Sequence, residues 1–233
     1  MVGVLLLIIS NASTSSRLEF VVATVTEKER NMNEVKNSYQ GQQIILKDGA
    51  EVAPGIFIYD NVIDNPQEII DFALSTPDRW RDSQVSGSDN KGVVDKKVRN
   101  TRVLDVPAVY ANDIKWFEIA QLIWKYADRY GAKNSAPYSN MEYLQLLHYS
   151  TQDGFYRPHT DSGPGSQRIF SALLYLNDVE EGGETYFNRF DIAVKPRAGR
   201  LVLFPANFIY EHEARTPKSN DKFALVTWFN PIM

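Results

Sequence analysis

The chain has 233 residues, of which 43% are hydrophobic and 23% charged, with a formal net charge of −4 and a pI near 5.5. That composition is ordinary for a globular protein, and the length suits one good-sized domain plus an extension. The acidic balance argues against nucleic acid as the main partner, because affinity for its backbone comes from Lys and Arg neutralising phosphates. The absence of cysteine excludes a disulfide framework, a thiolate metal site and a cysteine nucleophile.

Residues 2–9 form an apolar run followed by Ser10, Asn11 and Ala12. The run is too short to span a bilayer as a helix. It has the small-x-small pattern of a signal cleavage site, but no Lys or Arg precedes it. The expectation is a cytoplasmic protein with no stable membrane span, a weak signal segment being the alternative. Residues 1–50 read as an N-terminal extension, mostly polar and charge-rich over 27–36. The folded domain is expected over 51–233.

Residues 55–59 read as a strand, rich in β-branched and aromatic side chains. Asp64, Asn65 and Pro66 then open a helix with Ile69, Ile70, Phe72 and Ala73 behind them, and Thr76–Pro77 ends it. Residues 80–100 are polar and read as a long irregular loop, of a kind that is usually functional or disordered. Its Lys96, Lys97 and Arg99, with Arg102 just beyond, suit an acidic or carbonyl-rich substrate or a solvated basic face. Residues 112–130 read as the best helix, with Ile114, Phe117, Leu122, Ile123 and Tyr126 at helical spacing, Asn112 or Asp113 as cap and Gly131 as stop.

From residue 141 short apolar runs alternate with turn signals, at 142–149, 169–176, 184–187, 192–194, 200–204, 208–212 and 223–229. The fold class is therefore mainly β (α+β), with a sandwich or barrel supported by N-terminal helices.

Chemistry concentrates in 156–161. His159 and Asp161 lie two residues apart, and His212 is one of only three histidines in the chain. On an extended strand residues i and i+2 point the same way. Two imidazoles and one carboxylate form the facial triad that holds non-haem Fe(II) and leaves open coordination positions. His-x-Asp alone is a weak pattern, and by itself it reads more readily as a surface turn.

The surrounding blocks sharpen it. They are Tyr175–Leu176–Asn177–Asp178–Val179–Glu180–Glu181–Gly182–Gly183–Glu184–Thr185, the two histidine segments, and Lys222 ten residues after His212. In order and spacing, residues 51–233 resemble the catalytic domain of prolyl 4-hydroxylase-like 2-oxoglutarate/Fe(II) dioxygenases. The resemblance implies a double-stranded β-helix (jelly-roll) core. It implies Fe(II) on His159, Asp161 and His212, with 2-oxoglutarate and O2 as co-substrates and ascorbate as reductant. It places Lys222 on the distal carboxylate of 2-oxoglutarate, with Tyr149 and Ser171 beside it; Ser171 stands where many relatives have threonine. Asp161 fills the carboxylate position that halogenating relatives leave empty. His148 should point away from Tyr149, while Gln145, Asn207, Tyr210 and Trp228 are candidates for the pocket wall. Arg168 suits either substrate, Asp161 or a surface salt bridge. The implied reaction is hydroxylation of a peptidyl proline or related amino-acid side chain. The alternatives are another substrate for the same fold, such as a free amino acid, small molecule or nucleic-acid base, or a non-catalytic β-sandwich binding module.

Overall fold

The computed structural model describes residues 46–86, 92–106, 114–163 and 166–232. The apolar N-terminal run, the charge-rich 27–36 segment, the tip of the basic loop and the Asn112/Asp113 cap lie outside these residues. Among the described residues, no helix is long and apolar enough to cross a membrane.

The chain enters through strands β1 (Ala50–Ala53) and β2 (Ile56–Tyr59), paired across a tight turn in which Gly55 has φ +74°. Helix α1 (Gln67–Leu74) follows. Its cap differs from the expectation: Pro66 holds the cap position with no side-chain cap bond. The Pro66 carbonyl accepts from Ile69 and Ile70, and Asn65 instead bonds Glu68 at 2.6 Å.

The segment expected to be irregular contains four two-residue strands, β3 (Arg81–Asp82), β4 (Val85–Ser86), β5 (Gly92–Val93) and β6 (Arg99–Asn100). Long-range partners order it: β3 pairs with β7 (Arg102–Asp105) and β6 with β10 (Phe155–His159), while β4 and β5 pair with each other. Such pairings are invisible to local propensity, which sees only polar residues.

Helix α2 (Ile114–Asn134) runs through Gly131 rather than stopping there. A Cβ on Gly131 would lie 3.0 Å from the Ala136 carbonyl, so this glycine admits the returning chain. Ser135, at φ +51°, takes the left-handed position that closes the helix.

The remaining strands are β8 (Asn140–Met141), β9 (Gln145–Tyr149), β11 (Phe170–Tyr175), β12 (Thr185–Phe187), β13 (Ile192–Val194), β14 (Leu201–Pro205), β15 (His212–Ala214) and β16 (Lys222–Asn230). The expected strand at 208–212 is shorter. Residues Phe208–Tyr210 form a 3-10 turn, because the Asn207 side chain accepts from the Ile209 N–H and offers the backbone an alternative to a ladder.

Besides the two-stranded β4–β5 ribbon, two larger antiparallel sheets result among the described residues. The major one has the order β1-β2-β14-β11-β16-β9-β7-β3, with β8 on β16, and the minor one has the order β13-β12-β15-β10-β6. Strands β11 and β16 are buried along almost their whole length, as expected of strands covered on both faces. One face of the major sheet, with Leu104, Leu146, Leu174, Leu203 and Leu225, packs on both helices through Ile70, Ile123 and Tyr126. The other face, with Leu173, Tyr175, Val202 and Ala224, packs on Phe187, Val194 and Ala214 of the minor sheet. The candidate site lies in this second layer.

Phe170 is 1% exposed and stacks on Phe229 at 4.5 Å, with Tyr130 at 4.9 Å and Tyr138 edge-on at 5.3 Å. Phe170→Ala should cost about 3–5 kcal/mol, the usual range for emptying a packed aromatic site. Tyr143→Ala, at a position 75% exposed, should stay within about 0.5 kcal/mol. Urea unfolding of the two variants measures the contrast; equal costs would mean that the aromatic cluster is not a packed unit.

Candidate metal and co-substrate site

Register brings the histidines together. In the β10–β15 ladder His159 is the direct partner of His212, and their rings lie 4.3 Å apart. The pairing shifts register between Tyr156 and His159, where Pro158 has no N–H to give a ladder. An irregularity of this kind re-aims side chains. Tyr156 and His159, three apart, consequently stack at 3.5 Å and 17° instead of facing opposite ways. Asp161 follows in the bend beyond β10, so the expected i, i+2 relation holds at the end of the strand rather than within it.

Each imidazole is oriented by a backbone carbonyl two residues earlier. His159 Nδ1 lies 2.9 Å from the Arg157 oxygen, and His212 Nδ1 lies 3.0 Å from the Tyr210 oxygen. A carbonyl only accepts, so Nδ1 carries the proton on both rings and Nε2 is left as a donor atom for a metal. His159 Nε2 is 3.7 Å from Asp161 Oδ1, and His212 Nε2 is 3.8 Å from Asp161 Oδ2. Candidate ligand atoms of all three residues lie within 4.8 Å of one another. Two atoms bound to one ion at about 2.0–2.2 Å can be at most roughly 4.4 Å apart, so both imidazole–carboxylate separations fit a shared ion.

The electrostatics agree. Burial, reinforced by His212, pushes the His159 pKa well below the imidazole range, so the ring stays neutral. Burial opposes ionisation of Asp161, but the two histidines and the Ser171 hydroxyl outweigh it and hold the carboxyl below its usual range. Ser171 Oγ donates to Asp161 Oδ2 at 2.5 Å. Its one donor is used on the carboxylate.

Lys222 is 1% exposed and sits at the start of β16, opposite Tyr149 on β9. Its ammonium lies 4.6 Å from the Tyr149 ring centre and 5.4 Å from that of Tyr175, and donates to the Gly183 carbonyl at 2.7 Å. No carboxylate pairs with it among the described residues. Burial pushes the Tyr149 phenol up to about 12, so its hydroxyl remains a proton donor. Tyr175, whose hydroxyl bonds Thr185 Oγ1 at 2.7 Å, closes this end of the pocket. Sequence reasoning missed Tyr175 and Thr185 there; the signal was the two-residue alternation from Ser171 through Leu173 to Tyr175.

The other candidates separate. His148 points away, as expected, and holds Asp221 at 2.7 Å while stacking on Phe223. Gln145 bonds Asp105. The Tyr210 hydroxyl reaches Pro54. Arg168 forks Glu142 with two 2.7 Å bonds, lies 3.6 Å over Trp228 and reaches the Asp161 carbonyl at 3.4 Å. It is a half-buried bridge between the pocket wall and Asp161. The Trp228 indole N–H is the one buried side-chain polar atom without a partner among the described residues. A buried unpaired cation, an orphan indole N–H and a converging His-Asp-His set fit a metal with an anionic co-substrate.

Comparison with known proteins agrees with this geometry. Residues 144–230 match the 2OG-Fe(II) oxygenase superfamily. Over part of its length the chain is similar to prolyl 4-hydroxylases. Prolyl 4-hydroxylase 1 of Arabidopsis thaliana is 36% identical over 38% of this chain and 37% of its own length. Prolyl 4-hydroxylase 5 of the same plant is 45% identical over 22% and 20%. The chain thus spans well under two thirds of these relatives. A Trichoplax adhaerens prolyl hydroxylase, solved with a hypoxia inducible factor oxygen degradation domain peptide fragment, superposes with a TM-score of 0.64 at 18% identity, covering 88% of this chain and 90% of that one. The viral collagen prolyl hydroxylase of Paramecium Bursaria Chlorella virus-1, solved as a 2-oxoglutarate complex, gives 0.57 at 19%, covering 78% and 100%. These likenesses establish the double-stranded β-helix fold expected from the sequence.

Burial pushes the Lys222 ammonium down to about 7, against a weaker opposing pull from Glu184. An unfolded lysine titrates near 10.4. Between those values the unfolded chain binds more protons than the folded one, so this residue makes stability rise with pH from about 7 to about 10. Urea midpoints of the metal- and ligand-free protein at pH 6.5 and 9.5 should therefore differ more for the wild type than for Lys222→Met. Identical pH slopes in the two proteins would show that Lys222 titrates as an ordinary lysine.

Proposed function

We propose that this chain is a 2-oxoglutarate- and Fe(II)-dependent dioxygenase that hydroxylates a peptidyl proline or a related amino-acid side chain. Overall, one atom of O2 enters a C–H bond of the substrate as hydroxyl, and the other enters succinate as 2-oxoglutarate loses CO2. The observation that supports this reading is the pairing, in the same inter-sheet layer, of the His159, Asp161 and His212 cluster with a buried Lys222 that has no carboxylate in salt-bridge contact among the described residues. Residues 51–233 form the catalytic domain in this reading, and 1–50 an extension.

Fe(II) held there supplies O2 activation, which no side chain can provide. The protein's part is binding and orientation. His159 and His212 present Nε2 because their Nδ1 protons are held by carbonyls, and Asp161 presents its carboxylate because the Ser171 hydroxyl and the Arg168 guanidinium favour its ionised form. Lys222 leaves the Gly183 carbonyl to pair with the distal carboxylate of 2-oxoglutarate, and the Tyr149 hydroxyl donates to the same group. Trp228, Arg168 and Tyr156 form the wall where a peptide would lie. Ascorbate serves as reductant when turnover is uncoupled.

His159→Ala and His212→Ala should each abolish metal retention and succinate release, because two remaining ligands do not hold a labile divalent ion in an open site. Lys222→Ala should leave metal binding intact. It should raise the 2-oxoglutarate requirement by roughly tens- to thousands-fold, the about 2–5 kcal/mol of a broken buried charge pair. Metal titration and 2-oxoglutarate dependence of succinate formation check both, and mass spectrometry of a proline-containing peptide library locates the added oxygen. Wild-type protein that binds Fe(II) and 2-oxoglutarate but oxygenates no peptide would overturn the peptidyl substrate.

A further inference from the structure

The Tyr210 carbonyl that orients His212 belongs to a residue whose side chain is itself tethered. The Tyr210 hydroxyl donates to the Pro54 carbonyl at 2.9 Å, across 156 positions of sequence. Pro54 and Gly55 form the tip of the β1–β2 hairpin. That tip is held a second time from the helical side, where the Tyr130 hydroxyl donates to the Gly55 carbonyl at 2.9 Å. The fit is close: a Cβ on Gly55 would lie 3.0 Å from the Tyr210 hydroxyl oxygen and 3.2 Å from Pro205.

Resting on the reading of His212 as a metal ligand, we infer that Tyr210 is a positioning residue, whose hydroxyl bond to Pro54 fixes the carbonyl that sets the His212 tautomer and ring direction. Tyr210 ends the short 3-10 turn Phe208–Tyr210 and is followed by a single residue before His212 opens β15. Rotation of the turn would therefore move the carbonyl and the imidazole together. Packing alone does not prevent it. A cavity of about 290 Å³ borders Pro54, Gly55, Tyr130, Pro205, Asn207 and Tyr210, and Phe208 and Ile209 are 69% and 41% exposed. The Phe190 ring, 5.2 Å from that of Tyr210, covers one side. The Asn207 side chain and carbonyl accept from the Ile209 and Tyr210 N–H groups and Asn188 holds Glu211 on the far side, while the hydroxyl tether is the bond that fixes the Tyr210 side chain. The hairpin thus acts on a metal ligand although it contributes no residue to the cage.

Two hydroxyls anchored on the same hairpin tip make a controlled test. Tyr210→Phe and Tyr130→Phe each remove one such bond, but only Tyr210 bears the carbonyl under His212. Co(II) affinity of the metal-free protein should weaken about 3- to 30-fold in Tyr210→Phe, below or within the 10- to 100-fold typical of losing a partner bonded directly to a ligand. The Co(II) visible absorption should change, and the ¹⁵N imidazole shifts of metal-free His212 should show a mixed tautomer. Tyr130→Phe should keep wild-type Co(II) affinity and His212 shifts even if its melting temperature falls. Wild-type affinity and shifts in Tyr210→Phe, or equal weakening in Tyr130→Phe, would overturn the inference. A wild-type protein that binds no Co(II) would instead remove the metal-site reading beneath it.

Discussion

The site depends on a backbone constraint: each candidate histidine ligand gives its Nδ1 proton to the carbonyl two residues before it. In His159 and His212 alike this bond fixes the tautomer and aims Nε2 at Asp161. A buried imidazole free to rotate would have to be frozen when a metal arrives, at a cost in side-chain entropy. Here the ordering is already made in the folded protein. Direct pairing of His159 with His212 in the β10–β15 ladder then sets the spacing, and the irregularity at Pro158 turns the Tyr156 ring onto His159.

The second half of the site follows from burial. Lys222 stands at the head of β16, between β9 and β11 in the centre of the major sheet. Its ammonium meets two aromatic faces and one carbonyl, and no carboxylate among the described residues. An ammonium placed this way loses hydration without full compensation, and its depressed pKa expresses that loss. The same imbalance suits an incoming anion, since a carboxylate supplies what the pocket lacks. Stability and affinity therefore pull against each other at this residue, as is common at functional sites.

Asp161 is the joint between the two halves. Its side chain meets both imidazoles, its Oδ2 accepts from Ser171 on the major sheet, and its carbonyl receives Arg168. Arg168 in turn is clamped by Glu142 and lies over Trp228. A displacement of the major sheet relative to β10 would thus be felt at the carboxylate first. The β11–β16 pair, buried along almost its whole length, limits such displacement.

Much of this was legible in the residues themselves. The β-rich C-terminal half, both helices, the His159/Asp161/His212 set and the inward-facing Lys222 followed from alternation, spacing and the resemblance those motifs carry. Each is a local or ordered pattern, and local patterns survive in one dimension. Tertiary structure alone decided what depends on partners distant in the chain. It made strands of Arg81–Asp82 and Arg99–Asn100 through β7 and β10, carried α2 past Gly131, and converted Phe208–Tyr210 to a 3-10 turn. It gave the Ser171 hydroxyl to Asp161 and Arg168 to Glu142. It also tied Tyr210 to a hairpin tip that no spacing rule connects with His212. A hydroxyl or guanidinium can satisfy its hydrogen bonds with any of several acceptors, and which one is near is fixed only when the sheets have packed.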